Sequence, residues 1–193
     1  VAGRVRAHLP GRRPCFLGGW SLGGMLALQA APFLTDELSG VLLISTTARF
    51  CRDDTQAWGI PSATLRATTL GLRTEPARTL ERFYVSSAAP EQPDVDAMAP
   101  WVEESLGNAA GLAAGLRYLG QVDLRDRVSC GGLPTVLVHG REDAIIPYQA
   151  SRSLGARLRP SRLDLTADAG HDLPLRRPDL VVKGLHSLAM MSE

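Results

Sequence analysis

The sequence predicts an α/β protein: a mostly parallel sheet with helices on both faces, interrupted by a purely helical insertion. Three observations carry this. Short apolar runs of strand character, at 14–18, 40–46 and 133–139, alternate with helix-like segments, the pattern of parallel strands joined by crossover helices. Residues 50–128 hold helix-like segments separated by breakers, with no strand-like run. A Gly-x-Ser-x-Gly pattern at 19–23 falls between the first strand and the helix that follows it.

In chain order, residues 1–9 read as the end of an amphipathic helix stopped by Pro10-Gly11. The strand at 14–18 is followed by a helix rich in small residues at 22–34. GVLLIST at 40–46 is a continuous apolar run, suited to a strand buried on both faces. Within 50–128, LRATTLGLR, EPARTLERFYVSS and PWVEESLGNAAGLAAGLRYLG are each helix-compatible, and Gly59, Pro61, Pro76, Pro90, Pro93 and Pro100 punctuate them. LPTVLVH at 133–139 returns to a buried strand, 150–158 is a helix, and SRLDLTA at 161–167 alternates as a strand does. Pro178-Asp179 opens the last helix, with proline in the first turn and an acid at the positive end of the helix dipole. The expected division is a core of 1–49 and 129–193 with a helical cap of 50–128.

Composition excludes several classes. The 193 residues are 45% apolar and 21% charged, with a net charge of +1, so no bulk field favours nucleic acid or a membrane surface. Cys15, Cys51 and Cys130 are far apart and lack C-x-x-C pairing, which argues against a zinc or redox site and fits free thiols in a cytoplasmic protein. Residues 14–35 carry no charge, a length that approaches a membrane span, but two prolines, four glycines, Ser21 and Gln29 interrupt the stretch. It reads as strand, turn and helix buried in protein.

The Gly-x-Ser-x-Gly pattern matches a nucleophile elbow, in which a strand turns at once into a helix with serine at a strained apex. Gly19 and Gly23 are expected to relieve crowding there, and Gly18 and Gly24 to ease strand and helix packing. The N–H of Leu22 would face the oxygen of an attacked carbonyl. A phosphate loop fits worse: Gly24-Met25 stands where Lys-Ser/Thr is required.

A nucleophilic serine needs a base and an acid that orients it. Of four histidines, His8 precedes the elbow, His139 ends a buried strand as a structural residue, and His186 is expected near the packed face of the last helix. His171, in the loop AGHDLP after the last strand, is the candidate base. Loops at strand ends are where open α/β sheets place chemistry. The acid belongs in the loop after 133–139, where Glu142 and Asp143 stand. Asp143 is preferred: the Gly140-to-Pro147 turn is expected to expose it, and its short side chain suits holding an imidazole Nδ1–H.

GWSLGG, VHGREDAIIP and AGHDLP, in this order and over nearly the whole chain, resemble the α/β-hydrolase superfamily. Within it, LGGWSLGGMLALQAA, the ERFY segment and YLGQVDLRDRV are most similar to the pimeloyl-[acyl-carrier protein] methyl ester esterases of biotin synthesis. The resemblance implies a serine carboxylic-ester hydrolase in which Ser21 attacks, His171 moves the proton, Asp143 holds His171, and an acyl-enzyme forms. It implies no metal or organic cofactor. The implied partners are a small acyl ester and, through cap arginines, an acyl carrier protein; Arg66, Arg73, Arg78 and Arg82 are candidates by position, with a solvated helix face as the alternative. Trp20 either lines the acyl pocket or packs the elbow. A general carboxylesterase, a lactone or C–C bond hydrolase, and a non-catalytic member or inert fragment remain competing readings. The superfamily places further strand–helix units before the elbow, including a loop that gives a second oxyanion N–H. No HG-type segment of that loop is found here, so the expectation is an N-terminally truncated hydrolase with half an oxyanion hole.

Overall fold

The computed structural model describes residues 1–11 and 14–192. Among them, four parallel strands form one sheet in sequence order: β1 (Phe16–Trp20), β2 (Gly40–Ile44), β3 (Thr135–Gly140) and β4 (Ser161–Thr166). Phe16 pairs with Gly40, Val41 with Thr135, and Thr135 with Ser161. All four C-terminal ends therefore lie along one edge of the sheet, and the loops that leave that edge meet.

β2 and β3 are buried at every position, as continuous apolar runs between two helical layers must be. Alternation sends successive residues of β2 to opposite faces. Val41 and Leu43 join Met25, Leu28, Leu34, Leu137 and Leu154 on one side. Leu42 and Ile44 join Val136, Val138, Leu173 and Leu188 on the other. The first side is covered by α2 (Leu22–Ala30) and α7 (Gln149–Arg157), the second by α9 (Pro178–Met191). The short α1 (Ala2–Arg6) rests against α2, and α8 (Leu173–Arg176) leads into α9.

β1 starts two residues later than 14–18 suggests and runs through Gly18 and Gly19. In-register pairing of Gly18 with Leu42 and Gly19 with Leu43 keeps the glycine pair extended. His186 is exposed, a correction to the expected packed position. Gly184 and Leu188 face the sheet, and a residue midway between two inward positions four apart points away from them.

Between β2 and β3 stand four helices, α3 (Ser62–Thr74), α4 (Pro76–Ala88), α5 (Val95–Leu106) and α6 (Ala109–Gln121). The single stretch PWVEESLGNAAGLAAGLRYLG divides at Gly107-Asn108, because the Asn108 side chain accepts from Gly111 N–H at 3.2 Å and caps a new helix. α3 packs on α4 and α6, and α4 on α5. The segments that enter and leave this layer are joined: Leu124 N–H donates to Ala48 O at 2.9 Å, Arg125 pairs with Asp53 at 2.9 Å, and Arg49 pairs with Asp123.

α9 approaches the sheet closely because residue 184 has no side chain. A Cβ there would stand 2.9 Å from Val138 Cγ2 and 3.1 Å from Leu42 Cδ1. Gly184→Leu should therefore overpack this face and lower unfolding free energy by about 1–3 kcal/mol, measured by urea denaturation. An unchanged midpoint would refute the tight contact.

Candidate active site

β1 ends at Trp20, and Ser21 follows with φ 54° and ψ −121°, a strained conformation for a residue with a side chain. It is held from three sides. Ser21 N–H donates to Ile44 O at 2.9 Å, its carbonyl accepts from Thr46 Oγ1 at 2.7 Å, and the same carbonyl accepts the first α2 amides, from Gly24 and Met25. The turn needs glycine at 19, where a Cβ would lie 2.4 Å from Gly23 O, and at 24, where it would lie 2.6 Å from Thr46 Cβ. At Gly18 and Gly23 a Cβ would meet nothing within 4 Å. The crowding is thus between the backbone of 23 and the missing side chain of 19, not around a side chain at 23. Leu22 is the first residue of α2, so its N–H has no partner within the helix and stands beside Ser21 at the positive end of the dipole.

Asp143 lies in the loop after β3 and His171 in the loop after β4. The structure brings both to Ser21: His171 Nε2 is 2.9 Å from Ser21 Oγ, and His171 Nδ1 is 2.9 Å from Asp143 Oδ2. Glu142 is exposed. Asp143 is not exposed as the turn suggests, because the turn folds around its carboxylate. Ile145 N–H and Ile146 N–H donate to Oδ1 at 2.9 and 2.7 Å, and the side chain is fully buried. Burial pushes this carboxyl up. The hydrogen bonds and charges of His139 and His171 outweigh it and hold the group at about 2, below its ordinary 3.8.

His139 is the residue that sequence reasoning set aside. It is completely buried, with Nε2 3.1 Å from Asp143 Oδ2 and 2.8 Å from Ile146 O, and Nδ1 2.6 Å from Ser151 Oγ. A histidine at the end of a buried strand, four residues before the candidate acid, is the only sequence signal for it.

The His171 loop is also clamped from outside. Ser87 O, in the last turn of α4, accepts from both His171 N–H and Asp172 N–H, at 3.0 and 3.1 Å. Gly170 makes this approach possible, since a Cβ there would fall 1.9 Å from Ala89 O. Trp20 belongs to the same support. Its Nε1–H donates to His171 O at 2.8 Å and its ring sits 5.7 Å from the imidazole. Trp20 does not line the cavity described below, and it is partly open to solvent.

A cavity of about 360 Å³ opens above Ser21 and Leu22, between α3, α4, α5 and α6, within the usual size of ligand pockets. Its walls are mostly apolar, including Leu72, Leu80, Phe83, Leu112, Leu116 and Ile145. Polar groups enter through Tyr84, whose hydroxyl is 2.8 Å from Ser105 Oγ, and Asn108. No lining residue carries a charge. Arg66, Arg73, Arg78 and Arg82 do not enter it; all four are exposed on α3 and α4, and Arg78 pairs with Glu75 at 3.5 Å. Among the described residues no cluster of metal-ligand type occurs, and no helix is long and apolar enough to cross a membrane.

The depressed Asp143 carboxyl links stability to acid. A group held at about 2 when folded and 3.8 otherwise stabilises the fold fully above the higher value. That contribution is lost as pH falls through the lower one. The stability gap between the native chain and Asp143→Asn should narrow by about 2 kcal/mol between pH 5 and pH 2, read from denaturation curves. A gap constant across that range would contradict it.

Comparison with known proteins places this geometry. Residues 1–183 match the model of an alpha/beta hydrolase family. The pimeloyl-[acyl-carrier protein] methyl ester esterase of Nitrosomonas europaea is 30% identical over 189 residues, 95% of this chain and 74% of that protein. The enzyme of the same name from Aeromonas hydrophila is 32% identical over 176 residues, 89% of this chain and 68% of that protein. The one from Aliivibrio salmonicida is matched over 66% of its length. Among solved structures, an esterase from Exiguobacterium antarcticum superposes with a TM-score of 0.74 at 22% identity, over 88% of this chain and 64% of that one. A bromoperoxidase from Bacillus anthracis does so with 0.76 at 19%, over 91% and 67%. With a family match over nearly its whole length, and with the elbow serine and strand-end loops already in place, the chain belongs to the alpha/beta hydrolase family.

Proposed function

We propose that this chain carries the machinery of a serine carboxylic-ester hydrolase, with Ser21 as nucleophile, His171 as general base and acid, and Asp143 as the acid that orients it. The observation that carries the reading is the relay Ser21 Oγ–His171 Nε2 and Nδ1–Asp143, at 2.9 Å per link, on a strained turn beneath an apolar cavity. Ser21 Oγ attacks the ester carbonyl while its proton passes to His171 Nε2. The oxyanion that forms lies next to the Leu22 N–H. Collapse returns the proton to the departing alcohol and leaves an acyl group on Ser21. Water then attacks this ester, its proton passing to His171. The carboxylic acid departs as the proton returns to Ser21.

The substrate we propose is a pimeloyl methyl ester on an acyl carrier protein, in biotin synthesis. The curated relatives at about 30% identity bear that activity in their names. The cavity supports a neutral acyl chain, since its uncharged walls would desolvate a free carboxylate without pairing it. The exposed arginines of α3 and α4 suit an acidic carrier outside. On this reading residues 1–49 and 129–193 are the hydrolase core and 50–128 is its cap. A cytoplasmic setting agrees with the free thiols Cys15, Cys51 and Cys130.

Ser21→Ala should lower turnover of p-nitrophenyl acetate by roughly a thousandfold or more without loss of fold. Equal rates for variant and native chain would sink the nucleophile assignment. Arg78→Glu with Arg82→Glu should raise KM for the carrier-linked methyl ester about tenfold and leave p-nitrophenyl acetate turnover within about twofold. Parallel loss on both substrates would reject carrier docking there.

A further inference from the structure

His139 has a role that the Ser21–His171–Asp143 relay does not use. Its Nε2 faces two atoms, Ile146 O at 2.8 Å and Asp143 Oδ2 at 3.1 Å. Both are acceptors, so Nε2 must carry a proton whatever the state of Nδ1. Asp143 accepts three N–H groups, from Ile145 and Ile146 at Oδ1 and from His171 at Oδ2. The His139 Nε2–H donates to Ile146 O and also stands 3.1 Å from Oδ2, so the ring contacts the carboxylate on the side away from Oδ1.

The far side of the ring is fixed as well. Nδ1 lies 2.6 Å from Ser151 Oγ on α7, which reaches Thr46 O at 3.0 Å beyond β2. Thr46 Oγ1 in turn donates to Ser21 O at 2.7 Å. The contacts therefore close a circuit. From Ser21 Oγ it runs through His171, Asp143, His139, Ser151 and Thr46, and it returns to the Ser21 carbonyl. One arm reaches the serine through its side chain, the other through its backbone.

We infer that His139 is a positioning residue. With Ser151 and Thr46 it sets the Asp143 carboxylate relative to the elbow, and thereby the direction in which His171 faces Ser21. This rests on the hydrolase reading above. The charged and titratable side chains facing Asp143 are His139 from β3 and His171 from the loop after β4; Asp172 is paired with Arg176 at 2.7 Å. Removing the His139 donor leaves more of the carboxylate's charge acting on His171, and so favours its protonated form.

The test compares His139→Leu, which fills the space without a donor, with His139→Gln, whose amide can reach the Nε2 position. On p-nitrophenyl acetate, His139→Leu should lower kcat about tenfold or more with KM within about twofold. The acid limb of its pH–rate profile should move to higher pH, and His139→Gln should restore most of the rate and the limb. A rate loss in both variants with an unmoved acid limb would mark His139 as packing only and overturn the proposal. A second readout does not depend on turnover. In 15N-histidine-labelled native chain, His139 Nε2 should give the signal of a protonated ring nitrogen, and His139→Leu should shift the His171 Nδ1–H resonance. An unprotonated Nε2 or an unmoved resonance overturns the proposal. Failure of the hydrolase reading would instead show as equal turnover by native chain and Ser21→Ala, with the nuclear resonance arm still deciding the role of His139.

Discussion

Asp143 is a carboxylate with no exposed surface in its side chain, and almost every feature of the site can be traced to how that charge is tolerated. An ion buried without partners would be neutralised or would unfold its surroundings. Here two amides of its own turn and two imidazoles surround it. Those partners come from β3, from the loop after it and from the loop after β4, so satisfying the charge draws the ends of two strands together. The backbone follows the same demand. Arg141 N–H donates to Thr166 O at 2.8 Å and Glu142 N–H to Ala169 O at 3.1 Å. Gly140 lacks the Cβ that would collide with Ala169 O. The loop that carries His171 is thus docked through its backbone as well as through its side chain.

The helical layer over the sheet shares in this docking. α4 ends where Ser87 O takes two amides from the His171 loop, and Arg176 bridges Asp172 to Glu91 beyond the end of α4 at 2.7 and 2.6 Å. The helix that lines the cavity with Leu80, Phe83 and Tyr84 is therefore the one whose C-terminus holds the histidine backbone. A displacement of α4 would alter the cavity wall and the His171 backbone together. Hydrogen bonds to two adjacent amides leave little freedom for one to move alone.

What could be read from the chain beforehand divides along the same physical line. β2, β3, the elbow helix α2 and the strandless block after β2 were legible, because apolar runs, small residues and prolines act locally. Ser21, Asp143 and His171 could be singled out because each stands within a few residues of a strand end. The burial of Asp143 was not legible: a turn with Gly140, Arg141 and Glu142 looks solvated until its amides are seen to fold inward. Nor was the place of Trp20, whose hydrogen-bond partner lies 151 residues away. His139, Ser151 and Thr46 belong to three separate elements, and no spacing along the chain announces that they touch. Gly23 misled in the opposite sense. The pattern suggests crowding at both glycines, but crowding is a relation between two positions, and only one of them needs to give up its side chain.

Ser21 shows how local strain is held by distant structure. Positive φ at a residue with a Cβ costs on the order of 1–3 kcal/mol and persists only where the surroundings over-determine it. Its amide is fixed by Ile44 on the neighbouring strand and its carbonyl by Thr46 just beyond. Thr46 in turn packs against the bare Cα of Gly24 in the first turn of α2. Each contact requires β1 and β2 to be paired in this register, since a slip of one residue would move Ile44 O away from the Ser21 amide and exchange the residues that β2 presents to its two helical layers. The strain at the apex is therefore sustained by the same two-sided burial of β2 that builds the core, and the direction of the Ser21 hydroxyl is a consequence of sheet register as much as of the Gly-x-Ser-x-Gly turn.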